Sequence, residues 1–485
     1  MSIQDLFLNL NAVLPFTILM VWAMVLLLVD LVIPRRQKGI TAALAALGLL
    51  VALVLTILRP ADGRTAFVDM IIVDGFATFL NVIFLVSGIL GVAVAYDYLK
   101  RMGIERGEYY SLLLFSITGM MLMAHAADLI IVFLALELLS IPLYVLSGFD
   151  PDRITSEEAA LKYFLLGAFS TGFVIYGVAL IYGATGSTNM SAILATLMQS
   201  EVNMTLLAIG TALVLIGLGF KVAAVPFHMW TPDVYQGAPT AIVAFMAVGA
   251  KAGGFAALLR LFFIALPQLD IDMTPILWGV AALTMILGNV VAIAQSNMKR
   301  LLAYSSIAHA GYILMALVPM EQEIVAQNAV ASALFYLLAY GVTSFAAWAV
   351  VIALEQAEGY GLDLRDYAGL GRKYPIYAAA MAIAMFSFAG VPPTIGFVGK
   401  FYLFRTVLEG GFVWLAVIGV LTSVISAFYY LRVVIVMYMQ DGEPTARTDP
   451  WLYLTAAGSA AAAILLIVFS EPLFHWASSS LLGSL

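Results

Sequence analysis

Apolar runs of about twenty residues recur from one end of the chain to the other, separated by short polar segments. A helix of that length crosses the hydrocarbon of a bilayer, and backbone amides in hydrocarbon must pair internally. Only 11% of the residues are charged, against about 25% in soluble domains, which excludes a water-soluble globular fold. The sequence therefore predicts an all-α polytopic membrane protein with about fourteen transmembrane helices.

The predicted spans group into repeated units. They cover 12–33, 41–58, 76–96, 110–124, 129–149, 159–182, 206–225, 238–266, 276–294, 301–318, 325–354, 376–407, 412–439 and 451–476. We expect an N-terminal three-helix segment (1–109), a first five-helix repeat (110–266), a second five-helix repeat (267–439) and a C-terminal helix (440–485).

Basic residues in the predicted loops indicate the orientation of the chain. With the N-terminus outside, the inward loops contain Arg35, Arg36, Lys38, Lys100, Arg101, Arg106, Arg153, Lys299, Arg300, Arg365, Arg372, Lys373 and Arg447. The outward loops contain only Arg59 and Arg64. Because cytoplasmic loops are enriched in Lys and Arg, this asymmetry predicts that both termini lie on the outer side. The full set of spans suits the inner (plasma) membrane of a bacterium.

Prolines interrupt the seventh and twelfth predicted spans. Pro226 lies in the seventh, and Pro392 and Pro393 lie in the twelfth. Proline removes a backbone hydrogen bond and clashes with the preceding turn, so both helices should be broken there. The broken helix is the fourth in each five-helix unit, and an odd number of helices requires the second unit to be inverted. This favours two inverted repeats over unrelated breaks, although proline is common in membrane helices.

Four ionisable residues fall inside predicted spans. Glu137 and Lys251 lie mid-span, Lys221 precedes the first proline break and Lys400 follows the second. Each such charge costs about 3 kcal/mol on insertion scales, which argues for a function. A carboxylate that moves toward or away from a buried lysine changes the proton affinity of that lysine, so it can load and release a proton. The alternative is a static ion pair between Glu137 and one lysine that only orders the bundle.

The remaining polar residues of the spans have less specific roles. Lys162, near the start of the sixth span, fits snorkelling and function equally well, and His309 fits a proton relay or a packed, hydrogen-bonded histidine. For Arg260, Arg405 and Arg432, near span ends, we expect snorkelling to the interface. Hydroxyl groups that could bridge the ionisable residues through water are those of Ser140, Tyr144, Ser170, Thr171, Tyr304, Ser305, Ser306, Thr343 and Ser344.

Several kinds of site are excluded. The chain has no cysteine, so it offers no thiolate for a metal or an iron–sulfur cluster. It has no glycine-rich nucleotide motif and no basic stretch interleaved with aromatic residues, so neither a nucleotide nor a nucleic acid is an expected ligand. We therefore predict no cofactor and no metal in this chain.

Two longer motifs resemble a known family. The segments GFKVAAVPFHMWTPDVYQGAPT (219–240) and NMKRLLAYSSIAHAGY (297–312) are similar to signatures of the antiporter-like membrane subunits of respiratory complex I, the NADH:quinone oxidoreductase. The Thr-Pro-Asp form of the turn resembles the N branch of that family, because the M and L branches usually have Leu-Pro-Asp there. The resemblance extends over essentially the whole chain.

The resemblance implies a proton-translocating subunit of NADH:quinone oxidoreductase, a translocase in a bacterial inner membrane. It implies fourteen helices, inverted five-helix repeats and broken helices seven and twelve. It implies that Glu137 tunes Lys221, that Lys251 is the central relay, that Lys400 exchanges protons with one aqueous side, and that Lys162 belongs to the same set.

The resemblance also implies that NADH, FMN, iron–sulfur clusters and quinone are bound by other subunits. The expected partners are neighbouring antiporter-like and small helical membrane subunits and the lipid bilayer. Two alternatives remain at this stage: a cation/proton antiporter subunit of the same ancestral fold, and a non-pumping structural membrane subunit.

Overall fold

The fold is known from a computed structural model that describes residues 9–34, 37–59, 61–199, 202–265, 273–357 and 359–480. Two of the predicted inward basic residues, Arg35 and Arg36, lie outside the described residues. The same holds for the predicted boundary at 266–267 between the two repeats, so neither prediction is tested by the fold.

Helices form most of the first half of the chain. They are α1 (Leu14–Asp30), α2 (Gly39–Leu58), α3 (Gly75–Arg101), α4 (Glu108–His125), α5 (Leu129–Ser147), α6 (Ile154–Thr185), α7 (Met190–Gln199), α8 (Met204–Val222), α9 (Trp230–Gly237), α10 (Thr240–Phe245) and α11 (Lys251–Arg260). Strands β1 (Arg64–Ala66) and β2 (Ile71–Val73) form a small antiparallel hairpin between α2 and α3. The sequence analysis anticipated neither this hairpin nor α7.

The second half is also helical. Its helices are α12 (Thr274–Ile293), α13 (Met298–Leu314), α14 (Glu323–Leu354), α15 (Leu370–Lys373), α16 (Pro375–Ala389), α17 (Ile395–Glu409), α18 (Val413–Met439), α19 (Pro450–Leu465) and α20 (Ser470–Ser479). Short 3₁₀ segments follow α13 and precede α15.

The length and composition of these helices fit a polytopic membrane protein, as predicted. Among the described residues, ten helices are long and apolar enough to cross a bilayer, and the bent pair α19–α20 makes an eleventh if it is one span. Helices α1 and α16 are apolar but shorter. The count of fourteen spans and the inverted repeats therefore stay predictions.

Side chains cap several helices at the residue before the first turn. Asp74 accepts a hydrogen bond from the amide of Ala77 at the start of α3, and Asp128 accepts one from the amide of Ile130 at the start of α5. Asn297 does the same for α13. First-turn amides have no partner inside the helix, so these caps fix where helices begin even in apolar surroundings.

The breaks predicted at the prolines are confirmed. Helix α8 ends at Val222, before Pro226, and the chain resumes as the short helix α9. The twelfth predicted span consists of two helices, α16 and α17, on either side of Pro392. Both first halves end on a left-handed residue, Ala223 with φ 63° and Gly390 with φ 81°.

Burial separates the centre of the bundle from its periphery. All of the most apolar stretch of 240–264 is buried, as is 94% of that of 298–320, whereas the figure is 33% for α6. The peripheral helices α6 and α18 expose large apolar side chains such as Phe169 and Val424. Lipid or neighbouring subunits can cover such faces, so the helices that carry Lys251 and His309 form the protected interior.

Candidate functional site

Three of the lysines that the sequence places inside spans are buried in the bundle, together with His309. Lys221, Lys251 and Lys400 are 4%, 3% and 4% exposed, and His309 is equally buried. Glu137 is half-buried. Lysine is almost never fully buried without a partner, so the groups that bind these side chains decide what they can do.

Lys221, at the end of α8, is held by two hydroxyl groups. Its Nζ donates to Ser140 Oγ on α5 at 2.8 Å and to Tyr163 Oη on α6 at 3.1 Å. The Tyr163 ring stacks on the indole of Trp230 with ring centres 4.5 Å apart. A hydroxyl can accept from an ammonium and can also rotate to donate to a neutral amine, so this setting accommodates both protonation states of Lys221.

Glu137 lies one helical turn before Ser140 on α5, on the same side of that helix. Its Oε1 accepts a hydrogen bond from Thr171 Oγ1 of α6 at 2.6 Å. The ion pairs found within the described residues do not include Glu137, so the static pair with a lysine that the sequence left open is not present there. Glu137 and Lys221 both bind hydroxyl groups of α6, those of Thr171 and Tyr163, and no direct ion pair locks them together.

Lys251 begins an α-helical segment directly after a π-helical turn at Met246–Ala250. Its Nζ donates to Ser306 Oγ on α13 at 2.6 Å and also to the carbonyl of Ser306. The ring of Tyr340 lies 5.8 Å from the ammonium. Single π turns inside α-helices occur frequently at functional sites, and this one sets the direction in which Lys251 leaves its helix.

A glycine brings Lys221 and Lys251 toward each other. Gly254 lies one turn after Lys251, and a Cβ at this position would stand 3.2 Å from Cγ of Lys221 and 2.8 Å from Val222. Any larger residue would push α8 away from α11. The absence of a side chain at Gly254 therefore allows the two lysine-bearing helices to pack closely.

His309 is bound through both ring nitrogens. Nδ1 lies 2.7 Å from Tyr336 Oη and Nε2 lies 3.0 Å from Tyr430 Oη, which in turn lies 2.5 Å from Ser305 Oγ. A neutral imidazole donates through one nitrogen and accepts through the other, so a change of tautomer moves a proton across the ring. The packed, hydrogen-bonded histidine that the sequence left open is therefore observed, and the relay stays a prediction.

Position as well as bonding places His309 between two lysines. It lies one turn after Ser306, the residue that binds Lys251, on the same side of α13. On its other side its ring packs 5.0 Å from the ring of Phe388, whose carbonyl binds Lys400. Lys251, His309 and Lys400 thus follow one another through the interior of the second half.

Lys400 binds the end of the helix that precedes its own. Its Nζ donates to the carbonyls of Phe388 at 2.8 Å and Ala389 at 3.3 Å, the last residues of α16, and to Ser423 Oγ at 2.7 Å. The carbonyl end of a helix carries a partial negative charge, so it favours the ammonium form of Lys400. Gly390 makes room for this contact, because a Cβ there would stand 2.9 Å from Cδ of Lys400.

Lys162 does not join this buried set. Its side chain is 41% exposed and forms ion pairs with Glu158 at 2.7 Å and Asp233 at 2.8 Å. Arg300 also binds Asp233. Burial alone would raise the pKa of Asp233, but the hydrogen bonds from Lys162 and Arg300 hold it below its usual value. Glu158, Lys162 and Asp233 border a polar cavity of about 480 Å³ at the end of the bundle.

The hydroxyl groups weighed from the sequence divide into two groups. Ser140, Thr171, Ser305 and Ser306 do bind members of the site. Ser170, in contrast, donates to the backbone of Gly217. Sequence reasoning missed Tyr163, Tyr336, Tyr430 and Ser423, because an aromatic or a small polar residue inside an apolar run gives no signal of its own.

The expectation of snorkelling is wrong for Arg260. The side chain is wholly buried and its guanidinium forms two hydrogen bonds, at 2.8 and 2.9 Å, with the carboxylate of Asp74. Pairing with a bidentate carboxylate stabilises the charge better than reaching for water does. Arg432 is half-buried and donates to the carbonyls of Ile293 and Gln295, whereas Arg405 is exposed as expected.

Metal ligation has no basis in the described part of the chain. No three histidine, aspartate or glutamate side chains come together there in a way that could hold a metal ion. The chemistry of the buried lysines, hydroxyls and imidazole is that of proton transfer.

The chain is similar to a known family of membrane subunits. The family described as "NADH:quinone oxidoreductase/Mrp antiporter, TM" matches residues 126–426. A protein of Chloroflexus aggregans named NADH-quinone oxidoreductase subunit N is 47% identical over 479 residues, which are 98% of this chain and 97% of that protein. A protein of the same name from Trichlorobacter lovleyi is 47% identical over 459 residues, 93% of each chain.

Solved structures share the fold. A chain of respiratory complex I from Thermus thermophilus with bound aureothin superimposes with a TM-score of 0.80 at 35% identity, covering 95% of this chain and 98% of that one. A chain of the Mrp complex from a Dietzia species has a TM-score of 0.83 at 22% identity, covering 98% and 97%. The second likeness shows the fold alone.

Proposed function

The chain belongs to the family of membrane subunits shared by NADH:quinone oxidoreductases and Mrp antiporters, and from this premise we propose that it translocates protons as the N-type subunit of an NADH:quinone oxidoreductase. Quinone reduction takes place elsewhere in that complex and drives the transfer. The chain contributes to the enzyme as a translocase component rather than as a redox centre.

One observation carries this proposal. Lys221, Lys251 and Lys400 are buried and have no carboxylate partner among the ion pairs of the described residues. Each binds hydroxyl or carbonyl groups, and His309 lies between two of them. A structural charge inside a membrane protein normally has an opposite charge beside it, as Arg260 has Asp74. Unpaired lysines with hydroxyl partners are suited to gaining and losing protons.

Each residue has a proposed role in that transfer. Glu137 tunes the proton affinity of Lys221 by moving relative to it, because Thr171 rather than Lys221 holds it. Lys251 is the central relay, and His309 passes protons between it and Lys400 by changing tautomer. Lys400 exchanges protons with one aqueous side. Lys162 contributes from the polar cavity at the end of the bundle.

The proposed setting is a bacterial inner membrane, with both termini on the outer side. The loops that the charge pattern assigns to the inner side are bonded to one another: Arg153 to Glu355, Arg101 to the carbonyl of Ile352, and Arg372 to Asp441. These contacts support the alternation of the spans. We propose that NADH, FMN, iron–sulfur clusters and quinone bind to other subunits, and that antiporter-like and small helical subunits pack against the exposed apolar faces.

The test replaces Lys251 by methionine in the intact complex, reconstituted in vesicles. Methionine has a similar length and cannot hold a proton, so the protons pumped per electron should fall while the complex still assembles. Lys373→Met, at the exposed end of α15, is the matched control and should leave the ratio unchanged. An unchanged ratio in Lys251→Met would contradict the proposal.

The family name also includes antiporters, and the same preparation separates that alternative. If the chain exchanged cations for protons by itself, vesicles that contain it without its partner subunits would acidify or alkalinise in response to a sodium gradient. We expect no such exchange, because the proposed relay is driven by quinone reduction.

A further inference from the structure

A polar cavity of about 480 Å³ opens at the end of the bundle where the loop charges predict the inner face. Arg153, Lys162, Asp233, Lys299 and Glu355 line it. Lys299 and Glu355 differ from the other three residues because they are buried, at 2% and 1% exposed. The sequence analysis placed Lys299 in an inward loop, and it gave Glu355 no role.

Glu355 follows directly on the last residue of α14, and only one of its two carboxylate oxygens has a partner in the described chain. Its Oε1 lies 3.3 Å from Nη1 of Arg153, whereas its Oε2 has no hydrogen-bond partner within the described chain. A buried carboxylate oxygen without a partner is costly unless it binds water or a proton. Because Glu355 lines a polar cavity, both are available to it.

Lys299 is also buried and lines the same cavity. Its Nζ donates to the carbonyl of Ala238 at 2.7 Å and takes part in none of the ion pairs of the described residues. It lies seven residues before Ser306, the residue that binds Lys251. Seven residues are two turns of a helix, so Lys299 and Ser306 lie on one face of α13, separated by about 10 Å along its axis.

Buried hydroxyl groups lie on α10 and α14, the two helices that lead from residues at the cavity toward Lys251 and Tyr340. Thr240, two residues after the carbonyl that binds Lys299, and Ser344, one turn after Tyr340, are fully buried, and their hydroxyls have no partner in the described chain. Tyr340 in turn lies beside Lys251. Unpartnered buried hydroxyls are places where internal water completes the hydrogen bonds, so they can carry a proton over this distance.

We infer that this cavity is the inlet of the proton relay, with Glu355 as the group that takes up the proton and Lys299 as the gate toward Lys251. One proton passes from cavity water to the Glu355 carboxylate, then to the neutral amine of Lys299. From the resulting ammonium it passes along the hydroxyl groups to the neutral amine of Lys251, and no electron moves. The inference rests on the proposed function and adds to it the side and the residues of entry.

The first test measures protons pumped per electron in the intact complex. Glu355→Gln and Lys299→Arg should each lower the ratio as much as Lys251→Met does, because neither replacement takes up and releases a proton there. Glu355→Asp should restore most of the loss, which a purely structural carboxylate would not explain. Glu443→Gln, which is exposed at the same end of the bundle, is the control and should behave as wild type.

The second test uses the absence of cysteine from the chain. In Lys299→Cys, an aminoethyl methanethiosulfonate rebuilds a lysine-like amine, whereas the trimethylammonium reagent adds a fixed charge that cannot lose a proton. With inside-out vesicles, in which the inner face meets the reagent, we expect both reagents to label the introduced thiol and only the aminoethyl reagent to restore pumping. Labelling of this thiol from the outer face alone, or equal rescue by both reagents, would overturn the inference.

The results also separate this inference from the proposed function. If Lys251→Met lowers the ratio and neither Glu355→Gln nor Lys299→Arg does, the proposed inlet is wrong. The proposed function, with Lys251 as a relay, is then retained. If none of the three variants changes the ratio, the proposed function itself is wrong.

Discussion

At both broken helices, carbonyl groups at the end of the first half lack a partner inside the helix. Different side chains bind these carbonyls at the two breaks. At the first break the carbonyl of Phe220, near the end of α8, accepts a hydrogen bond from the indole of Trp230 at 2.8 Å, and Lys221 is left free to bind hydroxyls. At the second break the carbonyls at the end of α16 are bound by Lys400 itself. A neutral indole binds the end of the first helix, whereas an ionisable side chain, together with the Ser423 hydroxyl, binds the end of the other.

This difference assigns different proton chemistry to the two lysines. The hydroxyl partners of Lys221 can reverse the direction of their hydrogen bonds when the amine loses its proton. The carbonyl partners of Lys400 can only accept, and the helix end attracts positive charge. Lys221 is therefore suited to frequent change of protonation state, and Lys400 to holding a proton until it is passed on.

The largest expected effect comes from replacing either lysine by arginine. Arginine keeps the charge and does not lose its proton in a protein, so the complex should assemble while transfer stops. We expect Lys221→Arg and Lys400→Arg to slow proton pumping at least roughly tenfold, equivalent to about 1.4 kcal/mol in the barrier. Pumping at the wild-type rate in either variant, measured in reconstituted vesicles, would show that fixed charge is sufficient there.

The positions of the two helix breaks could be predicted from the sequence, whereas the groups that bind the side chains at the breaks could not. Pro226, Pro392 and Pro393 interrupt apolar runs, and local rules are enough to end a helix there. Lys221, Lys251 and Lys400 were found in the same way, because a charge inside an apolar run is visible without any partner.

The partners of the site could not be predicted, because they come from distant parts of the chain. Tyr430 lies 121 residues from His309, and Asp74 lies 186 residues from Arg260. A tyrosine in an apolar run has the same appearance whether it packs in the core or binds a relay residue. Lys299 was assigned to a loop because it stands at the first turn of its helix, where only the packing around Ala238 reveals its burial.

A smaller effect is expected from Trp230→Phe, which removes the neutral donor at the first break. The carbonyl of Phe220 would keep the backbone amide of Ala223 as a donor at 3.1 Å and lose its second hydrogen bond, a loss of about 0.5–1.5 kcal/mol. Thermal unfolding of the purified complex, followed for this subunit, should shift to a lower temperature. Trp414→Phe, at a side chain that is 76% exposed, is the control and should not shift it.

Effects of a similar or smaller size should appear at the left-handed residues that end α8 and α16. Gly390→Ala places a Cβ 2.9 Å from Lys400 Cδ at a φ of 81°, which should destabilise by about 1–2 kcal/mol. Ala223→Gly relieves a φ of 63° and should leave stability unchanged or raise it by up to about 1 kcal/mol. Equal destabilisation by both exchanges would remove the distinction between the two breaks.

The most direct test of the relay is a high-resolution cryo-EM map of the intact complex in which internal water is visible. We expect ordered waters that join the amines of Lys221, Lys251 and Lys400 through Ser140, Ser306 and His309 into one hydrogen-bonded line. A map at that resolution in which the three amines lie in separate dry pockets, with only side chains of apolar residues between them, would contradict the account.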